Sequence, residues 1–371
     1  MVSKKISFCI VCMNRVVHLK ETLPQNILDN KDYPNLEFVL LDYGSRDDLY
    51  HWADTVLRPH IASGRLNFFS TRDPEFFHMS HSKNMAFRLA TGDILCSVDA
   101  DNFTGPGFAA YVNEMFSNSD DIFLAPPAIG ATKKWWDVQG RLCLWRRDFY
   151  KFRGYDERVM DYGYEDYDFK YRLEAGHRQR MVIRNPAFLK AIPHDDSLRI
   201  SEGFSARKTR ELLIGPVDHN ISEVIYLQQN NIFERFYINN CLLQRSSSPD
   251  ISAGVSDNTI MKPRHMYSGE YHIENNMIQL LNRKNEVFLK LEYLTPDYLL
   301  SSDSRNFQRV THLPFCETFL LKRAVYLGRK VYSDNRRNGT IVNPAGFGRG
   351  TVFQNFSEEP VILSGDEVWN E

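Results

Sequence analysis

The first hundred residues alternate between short apolar runs and longer segments whose apolar positions recur three and four apart. Ile6 to Met13 is a continuous apolar run, as expected of a strand covered on both faces in a parallel sheet. Arg15 to Leu28 carries Val16, Leu19, Leu23 and Ile27 at helical spacing. Leu36 to Leu41 predicts a second buried strand that ends in Asp42-Tyr43-Gly44-Ser45, where Ser45 with Asp48 predicts a helix start. Leu66 to Phe69 predicts a third strand, and Ser80 a cap for a helix through Ala90. Ile94 to Val98 predicts a fourth strand, and Pro106 sits in the first turn of a helix running to about Phe116. Such alternation predicts a Rossmann-like α/β domain with a doubly wound, mostly parallel sheet. Ligands bind such sheets beyond the carboxyl ends of the strands, which is where Asn14, Asp42 and Asp99 fall.

The pattern changes after about residue 120. Arg141 to Trp145 reads as a strand, Glu165 to Ala175 as a helix, and Met181 to Ile183 as a strand. Ile221 to Asn240 has mixed helical spacing and is expected to close the first domain. Ser246-Ser247-Ser248-Pro249-Asp250 reads as a linker. Short alternating runs follow it, at 271–273, 277–281, 287–291, 319–321, 325–327 and 351–353, with turn residues such as Asn335 to Gly339 between them. The expected organisation is therefore a catalytic-type domain over 1–245 and a smaller β-rich accessory domain over 246–371.

Charge narrows the function classes. The 45 basic and 47 acidic residues leave a net charge of −2, so no global basic field favours nucleic acid or an anionic membrane. No apolar stretch is long enough to span a bilayer, and the N-terminal strand is too soon interrupted to be a signal peptide. A cytoplasmic protein is expected, with peripheral membrane contact and oligomeric state left open. Cys9 and Cys12 form a C-x-x-C, but their odd separation on a strand sends them to opposite faces and no second pair completes a zinc site. Reduced, buried thiols are the expectation.

Two acidic groups stand out. Asp99-Ala100-Asp101 ends the fourth strand, where a divalent cation held by carboxylates can neutralise a diphosphate leaving group. Asp101 is the candidate metal ligand, and Asp99 reaches the ribose or the metal's water; a solvated turn is the plainer alternative. Downstream, Asp156, Glu157, Asp161, Glu165 and Asp166 lie among Tyr155, Tyr162, Tyr164 and Tyr167. Capping explains acids at a helix start, but transfer to a hydroxyl also needs a carboxylate within reach of that hydroxyl. Asp166 is the candidate base and Glu165 the candidate partner of a sugar hydroxyl. Asp42 is either a turn acid or a contact to the nucleotide base, with Tyr43 stacking nearby. Asn14 joins the donor candidates by its position. Lys83 is a candidate phosphate contact, and His194 a candidate further metal ligand.

These residues resemble a known group. Ile6 to Asn14, Leu40 to Asp47, Ser80 to Asn84 and Gly92 to Asp101 look like the N-terminal half of family-2-type inverting glycosyltransferases of the GT-A fold. Gly140 to Leu173 is similar to the acceptor half of galactosyltransferases and chondroitin-polymerase-like enzymes, through Leu144 to Phe149, Arg153 to Glu157, and Gly163-Tyr164-Glu165-Asp166-Tyr167-Asp168. The resemblance covers roughly residues 5 to 215. It implies a UDP-sugar donor, a glycan acceptor, and Mn²⁺ or Mg²⁺ held by Asp101 and His194. It also implies Asp42 on the uracil side and Asp166 as base, in bacterial-type surface polysaccharide or glycoconjugate synthesis. The chain departs from the group at Tyr162-Gly163-Tyr164, where Trp-Gly-Gly is common, and at Tyr43, where a second Asp is common. A sugar nucleotidyltransferase is disfavoured because Met13-Asn14-Arg15-Val16 lacks glycines after the first strand. A lectin-like binding protein with an inactive domain is disfavoured by Asp101 and Asp166.

Overall fold

The computed structural model describes residues 3–129, 135–239 and 264–365. It divides into two compact units, Met1–His194 with Gly328–Glu371, and Asp195–Leu327. In the first unit the apolar runs become β1 (Ile6–Cys12), β2 (Leu36–Tyr43), β3 (Leu66–Thr71) and β4 (Ile94–Ser97). They lie parallel in the order β3-β2-β1-β4. The order reverses between β1 and β4, which makes that gap a topological switch point. Both faces are covered, as continuous apolar strands require. Phe8, Ile10, Phe38 and Leu40 pack in one cluster, and Cys9, Val39, Leu41 and Phe87 in the other. Cys9 and Cys12 fall on opposite faces as free, buried thiols, and Cys241 lies outside the described residues.

Beyond β4 the sheet continues through Cys143–Trp145, Ile122–Ala125 and Gln179–Val182. Beyond β3 it gains two strands from the end of the chain, Gly350–Gln354 and Pro360–Leu363. The whole is the expected doubly wound, mostly parallel sheet, nine-stranded among the described residues.

The second unit is a closed eight-stranded antiparallel barrel built from Thr209–Pro216, Ile221–Gln228, Ile232–Asn239, Arg264–Glu274, Met277–Leu281, Val287–Tyr293, Tyr298–Ser301 and Asn306–Arg309. Eight strands leave an interior that side chains can fill, here with Leu213, Ile225, Leu227, Phe233, Tyr271 and Phe307 among others.

Several expectations need correction. Of the stretch expected to close the first domain, residues 221–239 form a β-hairpin of the barrel, turned at Asn230-Asn231 with Asn231 at φ 62°. The expected linker at 246–250 lies outside the described residues, and the compact units divide at 194 and 328 instead of 245. Residues 319–321 and 325–327 are helical, inside Leu313–Asn338, where Phe315 with Phe319 and Leu320 with Ala324 are buried four apart. The helix expected at Ser45 starts at Leu49, and the one expected at Ser80 starts at Met79, capped by the His78 ring. Among the described residues no helix is long and apolar enough to cross a membrane.

Candidate active site

At the ends of β1 and β2 the chain closes a small polar turn. Asn14 takes a left-handed backbone, φ 54°; its amide N–H donates to Ser45 Oγ at 3.1 Å, and its Oδ1 accepts from the Arg46 amide at 2.6 Å. Asp42 is buried and accepts the Ser45 amide at 2.8 Å. Burial raises its pKa, opposed by hydrogen bonds from Ser45. Tyr43 is elsewhere. Alternation along β2 turns it to the other face, where it is 2 % exposed, bonded through its hydroxyl to His81 Nδ1 at 2.7 Å and edge-on to Phe77. Its ring is core and offers no surface on which a base can stack.

The end of β4 carries the Asp-x-Asp. Asn102–Phe103 pairs antiparallel with Lys190–Ala191, and the Ile192 amide donates to the Asp101 carbonyl at 2.9 Å. That pairing delivers His194 to Asp101, with Nε2 and Oδ2 2.8 Å apart. Burial alone raises the Asp101 pKa, but the His194 hydrogen bond and charge, with the Asn102 amide, hold it below the usual carboxylate range. Two ligands of one six-coordinate ion at about 2.1 Å lie about 3 Å apart, so this nitrogen and oxygen already stand at a spacing that fits a shared cation. Among the described residues no set of three or more His, Cys, Asp or Glu is arranged to hold a metal. Asp101 supplies the kind of carboxylate that, with substrate phosphate oxygens, usually holds Mg²⁺, and His194 would add a nitrogen. His18, which sequence reasoning missed, stands edge-on to His194 with ring centroids 6.2 Å apart.

Arg141 fixes this loop and was also missed. It lies two residues before the strand Cys143–Trp145, is fully buried, and donates to Asn102 Oδ1 at 3.1 Å and to the carbonyls of Phe103 and Phe188. Arg141→Met strips these acceptors of their donor. Stability is expected to fall by roughly 1–3 kcal/mol for each acceptor left unsatisfied, read by chemical unfolding.

Glu165 and Asp166 open the helix Glu165–Ala175, both buried. Lys83, expected near phosphate, lies between them instead. Its Nζ is 3.0 Å from Asp166 Oδ1 and 3.2 Å from Glu165 Oε1, and 5.2 Å from the Tyr155 ring centroid. A buried ammonium persists as a charge only with such partners. Burial opposes its charge, but Asp166 and Glu165 raise its pKa well above the usual lysine value. Glu165 is pushed up to about 7, first by burial and then by the charge of Asp166, against Lys83.

The two acidic groups meet in one field. Asp99 is pushed up to about 6, first by burial; Lys83 pulls it down while Asp101 and Asp166 add to the rise. Asp99 lies so close to Gly140 that a Cβ there would stand 2.4 Å from its Oδ2. Asn84, beside Lys83, exchanges hydrogen bonds with the Tyr155 backbone in both directions and donates to Glu157 at 3.0 Å. Asn335, which the sequence pattern places in a turn, donates to Asp156 and to Asp168, each at 2.8 Å. Thus Asp99, Asp101, His194, Lys83, Glu165 and Asp166 form one charged cluster, while Asn14 and Asp42 belong to the neighbouring turn and Tyr43 to the core.

Residues 7–173, less than half of the chain, match the profile of Glycosyl transferase family 2. No curated protein sequence matches the chain. Among solved structures, a mannosyltransferase from Pyrobaculum calidifontis, in complex with GDP-Man and Mn²⁺, aligns with TM-score 0.41 and 18% identity over 52% of this chain and 58% of its own. S. aureus TarS in complex with UDP aligns with TM-score 0.41 and 14% identity over 50% and 59%. TarS in complex with UDP-GlcNAc aligns with TM-score 0.38 and 12% identity over 52% and 62%. The chain therefore spans about three fifths of these structures.

Proposed function

We propose that this glycosyltransferase moves a hexose or N-acetylhexosamine from a UDP-sugar to a glycan hydroxyl in a single displacement that inverts the anomeric carbon. Its place would be in bacterial-type surface polysaccharide or glycoconjugate synthesis. The observation that carries the reading is the Lys83 bridge to Glu165 and Asp166 within the field of Asp99 and Asp101. It supports the reading because the acids assigned here to donor and acceptor then share one cluster.

In this mechanism Asp166 accepts the proton of the attacking hydroxyl, with the Lys83 ammonium 3.0 Å from its Oδ1. Glu165, near half-protonated at neutral pH, donates to or accepts from a sugar hydroxyl and orients it. Asp42 and Asn14 bind the nucleoside side of the donor from their turn. Asp101 and His194 would hold Mn²⁺ or Mg²⁺, with Asp99 behind them. The bound cation supplies charge neutralisation for the departing diphosphate. On this reading Gly140 to Leu173 is the acceptor half, of the kind found in galactosyltransferases and chondroitin-polymerase-like enzymes, and the acceptor is a sugar hydroxyl.

Release of UDP from a panel of UDP-sugars, with Mn²⁺ and with chelator, tests the reading. Transfer is expected to fall roughly 10²- to 10⁴-fold in Asp166→Asn, while donor binding persists. A protein that releases no nucleotide diphosphate from any donor, with or without acceptors, overturns it.

A further inference from the structure

We propose that Tyr164, Tyr167 and Tyr332 form an aromatic platform on which the apolar face of an acceptor pyranose ring stacks beside Asp166. The proposal rests on the transferase reading for what Asp166 does, and on the rings themselves for the rest. Tyr164 and Tyr167 are three apart and straddle Asp166 in the chain, one at the cap and one in the first turn of the helix Glu165–Ala175. Their ring centroids are 5.5 Å apart, and Tyr332 lies 5.7 Å from Tyr164. The interplanar angles of 41° and 36° fan the rings open instead of stacking them on one another. Tyr171 stands edge-on behind Tyr332 at 5.8 Å.

The backbone is bent to make this arrangement. Tyr164 is held at φ 73°, a left-handed conformation that costs a bulky residue on the order of 1 kcal/mol or more and persists only where its surroundings enforce it. Gly163 before it is at φ 107°. Gly328 lets the last helix approach that turn so closely that a Cβ there would stand 2.2 Å from the Gly163 carbonyl oxygen. Gly328, Tyr332 and Asn335 share one helix face at i, i+4 and i+7. Gly328 sets the approach and Asn335 is tied to Asp168 and Asp156, so Tyr332 arrives against Tyr164 in a fixed place.

The rings are partly open to solvent, with Lys170 Nζ over one face of Tyr167 at 4.9 Å from its centroid. Tyr167 is 39% exposed, and Tyr164 and Tyr332 are partly exposed. Burial raises the Tyr167 hydroxyl pKa, and the charges of Tyr164, Asp166 and Glu165 add to it, so the phenol lies within the field of the acidic pair. Aromatic faces carry negative charge density and attract the slightly positive C–H hydrogens of a flat partner. A pyranose presents such hydrogens on one face and its hydroxyls at the rim. A ring seated on the platform points rim hydroxyls toward Asp166 and Glu165. The ligand class is therefore a glycan acceptor with an unobstructed apolar face.

Saturation-transfer NMR on the full chain tests this, with methyl β-D-galactopyranoside, methyl β-D-glucopyranoside, methyl α-D-mannopyranoside and methyl N-acetyl-β-D-glucosaminide as probes. Saturation is expected to reach the C–H protons of one face in at least one probe. It is expected to vanish in Tyr167→Ala and in Tyr332→Ala and to survive in Tyr332→Phe. In transfer assays with that probe, KM for the acceptor is expected to rise about ten-fold in Tyr167→Ala, the weight of one aromatic contact, with kcat changed less than two-fold. If Tyr332→Ala does not fold, the exposed Tyr167 decides alone. Absence of saturation for every probe, or saturation and KM unmoved in Tyr167→Ala, overturns the platform. A protein that stacks these sugars but releases no nucleotide keeps the platform and loses the transferase reading; one that transfers with KM unmoved does the reverse.

Discussion

A chain stopped after residue 245 is expected to lose the folded catalytic unit altogether, although a sequence-based boundary makes that cut look harmless. On the sequence pattern, removal of 246–371 leaves donor hydrolysis measurable and lowers transfer to a long acceptor. The structure reverses that expectation, because Gly328–Glu371 belongs to the first unit. The strand Gly350–Gln354 pairs with β3 at Phe353 with Ser70 and Gln354 with Phe69, and Asn355 Oδ1 accepts the Phe68 amide at 2.8 Å. Phe347, Val352 and Leu363 fill the cluster on the Cys9 face. Arg88, on the helix that carries Lys83, donates to the carbonyls of Phe347 and Gly348. Asn343 takes the Glu157 amide at 3.0 Å and donates to the carbonyls of Arg153 and Tyr155. Losing three buried apolar side chains costs roughly 1.5–3 kcal/mol each. Asp156 and Asp168 lose the amide that joins them, and β3 becomes a bare edge open to aggregation. Together these losses reach the whole stability of an ordinary domain, about 5–15 kcal/mol. Circular dichroism and limited proteolysis of the 1–245 fragment check the expectation, and a soluble, protease-resistant fragment that still cleaves donor would contradict it.

The same return of the chain shows why some features were legible and others hidden. β1, β2, β3 and β4 follow from local runs, since a strand covered on both faces must be apolar throughout. Asp99, Asp101, Glu165 and Asp166 were visible because acids at a strand end and a helix start stand out against those runs. The helix Leu313–Asn338 was read as two strands because Arg323 interrupts its apolar face. The arginine is 3% exposed and paired with Glu234, so a buried ion pair broke the helical period. The hairpin at 221–239 was blurred by a turn made only of Gln and Asn. Pairing of residue 353 with residue 70 leaves no local trace. Arg141 carried a faint signal, a charge at the head of a strand of Leu, Cys, Leu and Trp. Lys83 stood out as a loop cation, but nothing local says that the acids eighty residues on will fold against it.

Lys83→Met is expected to be the most damaging single substitution in the charged cluster, with transfer reduced at least as far as in Asp166→Asn. Lys83 is the cation that the structure sets against both acids at once, at 3.0 and 3.2 Å, and methionine fills much of its volume without its charge. Removing one partner of a buried ion pair costs roughly 3–5 kcal/mol, because the charge left behind is uncompensated. Glu165 and Asp166 then face each other without the ammonium between them. The pH dependence carries the diagnosis. Glu165 is already pushed up to about 7, and Lys83 is among the groups that hold it down; without the lysine it rises further. An unfolded chain gives up that proton near the ordinary glutamate value of about 4.3, while the folded variant still holds it, so stability falls as pH rises above that value. The deficit of Lys83→Met relative to the parent chain is therefore expected to be small near pH 5 and large near pH 8, measured by urea unfolding at both. A deficit that is equal at the two pH values would mean that the lysine acts through its packing, and that the acids do not depend on its charge.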